Sequence, residues 1–253
     1  MNIVSNLKEW QDIRASLKNK TIGFVPTMGY LHAGHISLCE RSIQENDVTV
    51  VSIFVNPTQF NNASDLQHYP RDLSKDIATL APYKVDYLFC PDAADIYSDH
   101  YQIQISETEI SKELEGEYRP GHFTGMLTIV LKLFNLIQPT NAYFGEKDFQ
   151  QLLLVKKMVQ ALFLPLQIVS VPTMRADDKL PLSSRNARLS PEQRQKAAIF
   201  SAFLHDFSLD CETIAKQLES LGFRIDYISE KWQRRLGAVW LDDIRLIDNI
   251  AIN

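Results

Sequence analysis

Cysteine is scarce in this chain, and cationic side chains are in the minority. Cys39, Cys90 and Cys211 are the three cysteines among 253 residues. Odd in number and far apart, they argue against a disulfide framework or a clustered zinc site and fit reduced thiols in a cytoplasmic protein. Lys and Arg total 26 against 31 Asp and Glu, a formal charge of −5. That balance disfavours nonspecific nucleic-acid binding and leaves room for a local basic pocket only. Long apolar runs are missing too. The richest, Met126 to Ile137, is interrupted by Lys132 and is too short to span a bilayer, so no membrane partner is expected. Lys8, Glu9, Asp12 and Arg14 crowd the first residues, which argues against a secretory leader. No low-complexity tract and no internal repeat is visible.

What the chain does have is a hydrophobic content of 45%. That supports a sizeable core in one large or two modest domains, with no metal or disulfide staple. The sequence is organised around Pro26-Thr27-Met28-Gly29-Tyr30-Leu31-His32-Ala33-Gly34-His35. An apolar β-branched run, Thr21 to Val25, precedes it and reads as a buried strand. Ile36 to Ile43 follows and suits a packed helix. The segment is therefore a strand-to-helix turn with two glycines and two histidines. Glycine permits tight turning, and a helix start aims N–H groups at an anion. The histidines add donors suited to a nucleoside triphosphate. An ordinary βα loop with two surface histidines is the plain alternative.

Leu7, Trp10, Ile13 and Leu17 predict a helix ahead of that strand. Val48 to Val55 reads as a central parallel strand buried on both faces, ending in the polar loop Asn56-Pro57-Thr58-Gln59-Phe60. Two strands with a helix between them form a βαβ unit, and ligands of such sheets lie beyond the carboxyl ends of the strands. His32, His35, Asn56 and Gln59 all fall on that side. A helix over Leu73–Leu80, a strand over Val85–Cys90 and a short strand over Gln102–Ser106 are expected next. Arg119-Pro120-Gly121-His122-Phe123 is a turn that feeds an apolar helix, Thr124 to Ile137. That helix suits a pocket wall, a core or a dimer seam. Ala142 to Phe144 is a strand, followed by Gly145-Glu146-Lys147-Asp148 and another helix. Lys147 offers a compact charge for phosphate oxygens; helix capping by Asp148 is the alternative. Ile168 to Val171 is a further strand. Beyond it, Ser183-Ser184-Arg185-Asn186 suits a polyphosphate or a solvated loop. Past Ser190-Pro191-Glu192 come two helices, toward His205 and over Cys211–Leu221, and short strands near Phe223–Ile228, Ala238–Leu241 and Arg245–Ile247.

Together, Pro26 to His35, Ser52 to Phe60, Tyr69-Pro70-Arg71, Arg119 to Phe123, Phe144 to Gln151, Ser183 to Asn186 and Arg245 to Asn249 resemble the pantothenate synthetase family. This family lies within the nucleotidyltransferases that carry His-x-Gly-His. The resemblance implies an α/β fold: a Rossmann-like parallel-sheet N-terminal domain, 1–182, and a smaller α+β lid domain, 183–253. It implies ATP- and Mg²⁺-dependent condensation of (R)-pantoate with β-alanine through a pantoyl-adenylate, with release of AMP and pyrophosphate, by a homodimer. By motif match, Met28, Gly29, Tyr30, Leu31, His32, Ala33, Gly34 and His35 lie along ATP. So do Gly145, Glu146, Lys147 and Asp148, then Met174, Leu182, Ser183, Ser184 and Arg185. The catalytic set is His35, His32, Lys147 and Arg185. Gln59 contacts pantoate and β-alanine and Gln151 contacts pantoate, with Asn56, Arg119 and His122 as further pocket residues and Asp76 as the candidate Mg²⁺ ligand. A carboxylate attacking the α-phosphorus needs positioning and charge stabilisation and no protein nucleophile, which fits this donor set.

Two departures from the family pattern stand out. The usual Asp-Gly-Leu-Ala before the Ser-Ser-Arg-Asn run is here Asp178-Lys179-Leu180-Pro181. The connection from Ser229 to Gly237 is expected to be shorter than usual. Two other functions share the constellation. One is a nucleotidyltransferase acting on a phosphorylated acceptor, although the paired glutamines favour an uncharged polyol acid. The other is a nucleotide-binding regulator without catalysis.

Overall fold

The computed structural model describes residues 1–252; Asn253, the last residue of the expected second domain, lies outside them. The chain divides into two compact units. One holds Met1–Glu146 and Gln150–Val171; the other holds Lys147–Phe149 and the chain from Pro172 onward.

The first unit is built on a six-stranded parallel sheet. Its strands are β1 (Asn2–Val4), β2 (Ile22–Thr27), β3 (Val48–Ile53), β4 (Tyr87–Phe89), β5 (Asn141–Gly145) and β6 (Gln167–Val171), in the order β1-β4-β3-β2-β5-β6. The β-branched and aromatic run of β2 and β3 is buried almost throughout, as a central strand covered on both faces requires. Helix Ala33–Glu45 lays Ile36, Leu38 and Cys39 against Val25, Val51, Leu88 and Tyr143 in the core. Trp10, on helix Leu7–Ser16, is fully buried and donates its indole N–H to the Leu136 carbonyl at 2.8 Å. Helix His122–Ile137 begins two residues earlier than its apolar stretch. It buries its length, with Phe134 edge-on to both Phe24 and Phe144.

Two elements differ from expectation. Gln102–Ser106 is not a strand. Ile103 is 74% exposed and the Ile105 N–H donates to Thr128 Oγ1 at 3.0 Å, so neither a buried face nor a ladder partner is present. Conversely, β1 has no signal in the sequence. Three residues with only Val4 buried are too few to show alternation, and pairing to β4 holds them.

The second unit contains an antiparallel sheet, β7 (Arg224–Lys231), β8 (Arg234–Leu241) and β9 (Ile244–Ala251), with helices Pro191–His205 and Cys211–Ser220. Ser190 caps the first of these helices reciprocally with Gln193, and Pro191 takes the first helical position. Phe200, Leu204, Ile214 and Leu218 pack with Val239, Leu241, Ile244 and Leu246. The charge-rich stretch Ser229–Gly237, read as a connection, is mostly strand. Trp232 and Gln233 turn it, with φ of 53° and 58°. Two consecutive positive φ values make the tight hairpin that matches strand twist.

Residues 172–182, expected in the first domain, group with the second unit. Arg175 grips buried Asp248 bidentately at 2.8 and 2.9 Å, and Leu180 is 2% exposed within that unit's core.

Candidate active site

In the first unit, β2 and β5 are neighbours only at Gly23–Asn141 and Phe24–Ala142. Beyond that point β2 continues to Thr27 and β5 to Gly145 without pairing to each other. Strands β2, β3, β4 and β1 lie on one side and β5, β6 on the other. This is the switch point where open parallel sheets leave a crevice beyond their carboxyl ends. Both motifs with phosphate-binding character begin here, Met28–His35 after β2 and Gly145–Asp148 after β5. A Cβ built on Gly145 would meet nothing within 4 Å, so the backbone there is open to close approach.

The turn after β2 is shaped by three contacts. Thr27 Oγ1 donates to the Ser52 carbonyl at 2.7 Å and accepts from the Gly29 N–H at 3.2 Å. Gly29 has φ 82°, and a Cβ on it would sit 3.0 Å from Asp76 Oδ2. Asp76, 1% exposed, accepts from the Tyr30 N–H at 2.9 Å and the Leu31 N–H at 2.6 Å. Both of its oxygens therefore hold loop backbone. Asp76, the expected Mg²⁺ ligand, thus anchors the loop.

His32 is the N-cap of helix Ala33–Glu45. Its Nδ1 accepts from the Gly34 N–H at 3.1 Å, and His35 Nδ1 accepts from the His32 N–H at 3.3 Å. The pair thus fills the capping box normally made by Ser and Glu, which is why the histidines stand three apart. Their rings lie 4.0 Å apart between centroids. Because each Nδ1 accepts, each neutral ring carries its proton on Nε2. The sequence offers two imidazoles; the capping geometry sets which nitrogen of each can donate to a ligand.

Beyond β3, the expected pocket residues form one network. Asn56, 1% exposed, donates from Nδ2 to Gln59 Oε1 at 3.0 Å and to the Gly125 carbonyl at 3.2 Å. Gln59 Nε2 then donates to Met28 Sδ at 2.9 Å. His122 Nδ1 donates to the Gln59 carbonyl at 2.8 Å, and Arg119 Nη1 donates to His122 Nε2 at 3.2 Å. Arg119 also lies 3.5 Å from Glu115. Helix His122–Ile137 is thus both core and wall of the site. Gly125 permits this, since a Cβ there would reach within 2.3 Å of the Thr58 carbonyl. A glycine inside an apolar helix was the available sign.

The adjacent glutamines Gln150 and Gln151 differ. Gln150, 3% exposed, accepts from the Glu115 N–H and donates to the Ile110 and Glu113 carbonyls at 2.7 Å. Gln151 is half-buried and makes no side-chain hydrogen bond with the described residues. Gln150 is structural and Gln151 remains available to a ligand. Burial pushes the Cys39 thiol up to about 12 and the Cys90 thiol to about 11.

In the second unit, Lys147 lies 3.8 Å from Asp148, and the Lys147 carbonyl accepts from Asn249 Nδ2 at 2.9 Å. Ser183 caps the turn Ser184–Arg188, its hydroxyl accepting from the Arg185 N–H at 3.3 Å. Ser184 is buried, Arg185 half-buried and Met174 exposed; Leu182 donates its N–H to the Met174 carbonyl at 2.9 Å. Thus Met174, Leu182, Ser183, Ser184 and Arg185 sit on one continuous hairpin and turn.

Residues 2–251 match the family model described as pantoate-β-alanine ligase. A pantothenate synthetase of Legionella pneumophila (strain Lens) is 50% identical over 253 residues, covering all of both chains. One of Coxiella burnetii (strain Dugway 5J108-111) is 48% identical over 248 residues, 98% of this chain and 96% of the relative. Among solved structures, a pantoate-β-alanine ligase of Francisella tularensis, complexed with β-γ ATP and β-alanine, superposes with a TM-score of 0.96. It is 46% identical, covering 99% of this chain and 97% of that one. A pantothenate synthetase of Thermus thermophilus gives a TM-score of 0.89 at 40% identity, covering 99% of each. The Legionella relative is matched over its whole length, so the Ser229–Gly237 hairpin is no shortening against it. From the switch-point crevice to the full-length matches, these findings agree: the chain belongs to the pantoate-β-alanine ligase family.

Proposed function

We propose that this chain condenses (R)-pantoate with β-alanine, using ATP, through a pantoyl-adenylate, and releases AMP and pyrophosphate. The observation that carries the reading is the histidine capping box at the end of β2, where backbone contacts fix Nε2 as the donor nitrogen of His32 and His35. A pantoate carboxylate oxygen bonds to the α-phosphorus as the bond to pyrophosphate breaks. Charge then grows on the phosphate oxygens. His35 and His32 donate to them, and Lys147 and Arg185 add fixed positive charge. Gln59 and Gln151 hold pantoate, with Asn56, Arg119 and His122 supporting that pocket. Met28–Leu31, Gly145, Glu146, Asp148, Met174, Leu182, Ser183 and Ser184 line ATP. In the second step the β-alanine amine bonds to the acyl carbon, AMP leaves, and the nitrogen loses a proton. The mixed anhydride is already activated, so delivery of the amine matters more than a strong base.

Mg²⁺, when bound, neutralises phosphate charge. Among the described residues no three His, Cys, Asp or Glu groups cluster to hold a metal, and Asp76 is committed to backbone N–H groups. The donor set therefore fits an ion carried mainly by phosphate oxygens. The reading places the enzyme in the cytoplasm. That suits three unpaired cysteines and the finding that, among the described residues, no helix is long and apolar enough to cross a membrane.

The test is isotope exchange. With pantoate and ATP but no β-alanine, labelled pyrophosphate should enter ATP. A requirement for β-alanine would rule out a separate adenylate step. The homodimer is tested by sedimentation at assay concentration, where a monomer would overturn it.

A further inference from the structure

We propose that Tyr97 is a positioning residue of the pantoate pocket: its hydroxyl sets the direction of the Asn56–Gln59 amide chain and so keeps the Gln59 Nε2–H groups on the Met28 side. The inference rests on the reading above that Gln59 holds pantoate.

Tyr97 follows the short helix Ala93–Ile96 and is 8% exposed. Its hydroxyl donates to Asn56 Oδ1 at 2.6 Å, between two buried groups. Thr58 adds its own hydroxyl to the same oxygen at 3.0 Å and its N–H at 3.4 Å. Asn56 Nδ2 therefore faces the two acceptors, Gln59 Oε1 and the Gly125 carbonyl. With Oε1 taken by Asn56, the amide nitrogen of Gln59 must point to Met28 Sδ, 2.9 Å away. One N–H meets the sulfur, a weak acceptor, and the other is available for a substrate oxygen. The whole chain has one sense of donation: Tyr97 to Asn56 to Gln59 to Met28.

The head of this chain is held rigidly. The Tyr97 ring packs against Phe54 and stands edge-on to Tyr101 at 5.4 Å. Lys132 Nζ lies 5.3 Å from the ring centroid and is itself fixed by the Ile96 carbonyl at 3.0 Å and Asp99 at 2.8 Å. Burial pushes the Tyr97 hydroxyl up to about 12, so it stays a donor throughout the working pH range. Removing that donor takes away the shortest of three donations to Asn56 Oδ1 and so weakens the bias of Asn56, and through it Gln59, against the reversed amide. The cost falls on pantoate binding, because the reversed Gln59 presents an acceptor where the carboxylate or hydroxyl oxygen needs a donor.

The experiment is a double-mutant cycle on steady-state kinetics with ATP and β-alanine saturating. Tyr97→Phe removes one oxygen and keeps the ring. It should raise KM for pantoate about three- to tenfold, the range of one hydrogen bond, with kcat and KM for ATP changed less than twofold. Gln59→Ala should raise KM for pantoate by more. In the double variant Tyr97→Phe should add nothing, since it acts through Gln59. Thr58→Val, which removes a second donor to the same oxygen, should show the same selective rise. An unchanged pantoate KM in Tyr97→Phe, or effects that multiply in the double variant, would overturn the inference while leaving Gln59 as a pantoate ligand. An unchanged pantoate KM in Gln59→Ala would overturn both.

Discussion

The two ring nitrogens of His35 have separate duties, and a substitution can divide them. Nδ1 accepts the His32 N–H and helps start helix Ala33–Glu45. In the proposed reaction Nε2 carries the proton offered to phosphate. Glutamine at the same helix position can reach back to the cap N–H as histidine does, but places no imidazole. His35→Gln should therefore lower kcat ~10²–10³-fold, the worth of one transition-state donor. Stability to urea should stay within about 1 kcal/mol of the parent, whereas His35→Ala should lose a further ~0.5–2 kcal/mol with the cap. Near-normal kcat in His35→Gln would remove the imidazole from the catalytic list. Equal destabilisation by Gln and Ala would show that the cap is not what His35 contributes to folding. At this scale the sequence was informative about residue type and silent about orientation. His-x-Gly-His is visible in a single line of sequence. That Asp76 commits both oxygens to the Tyr30 and Leu31 N–H groups is not, because the partners lie about 45 positions apart. An acid on a helix looks the same whether it anchors a loop or meets a cation.

At the scale of elements, the hairpin from Met174 to Leu182 shows what a local departure costs. The Lys179 N–H donates to the Ala176 carbonyl at 2.9 Å and the Ala176 N–H to the Leu180 carbonyl at 2.9 Å, with Arg175 bridged to Pro181. Closing this turn puts Lys179 at φ 68°. That is the left-handed region glycine enters freely, and glycine is what the family pattern has at this position. A lysine there costs ~1–2 kcal/mol, of which glycine's greater unfolded freedom offsets ~0.5–1. Lys179→Gly should accordingly raise stability to urea by about 0.5–1 kcal/mol; no gain would show that this φ carries no penalty in the turn. The departure was legible in the sequence, but its meaning required the dihedral angle. The central strands were legible because a strand covered on both faces must be apolar throughout. The ends of β7 and β8 were not: Glu230, Lys231 and Arg234 crowd charge about the hairpin turn, and that composition is shared with loops.

For the molecule as a whole, the order of motifs along the chain identified the family, but the division into units did not follow the chain order. Lys147–Phe149 belongs with the second unit because Asn249 binds the Lys147 carbonyl and the Arg234 guanidinium lies 4.3 Å over the Phe149 ring. Such long-range pairings leave no periodicity to read. The charges that hold each unit make its stability depend on pH in one direction. Burial alone would raise the Glu107 carboxyl, yet the Lys157 ammonium and the N–H groups of Ser111 and Glu109 outweigh it and hold the group at about 2, against 4.5 when free. Lys132 holds Asp99 at about 2, against 3.8. In the second unit Arg194 lowers Asp178, with which it makes a two-pronged pair. A carboxyl whose folded pKa is depressed contributes stability above its unfolded pKa and loses it as pH falls through the folded one. For Glu107 the window runs from pH 4.5 down to about 2. The Tm should thus be flat from neutrality to about pH 5 and fall steeply below 4.5. Lys157→Met, which removes the ammonium from Glu107 and Glu109, should lower Tm at pH 7 and converge on the parent as pH falls to about 2. A constant Tm difference across that range would mean that Lys157 stabilises through its methylene stem and not through its charge.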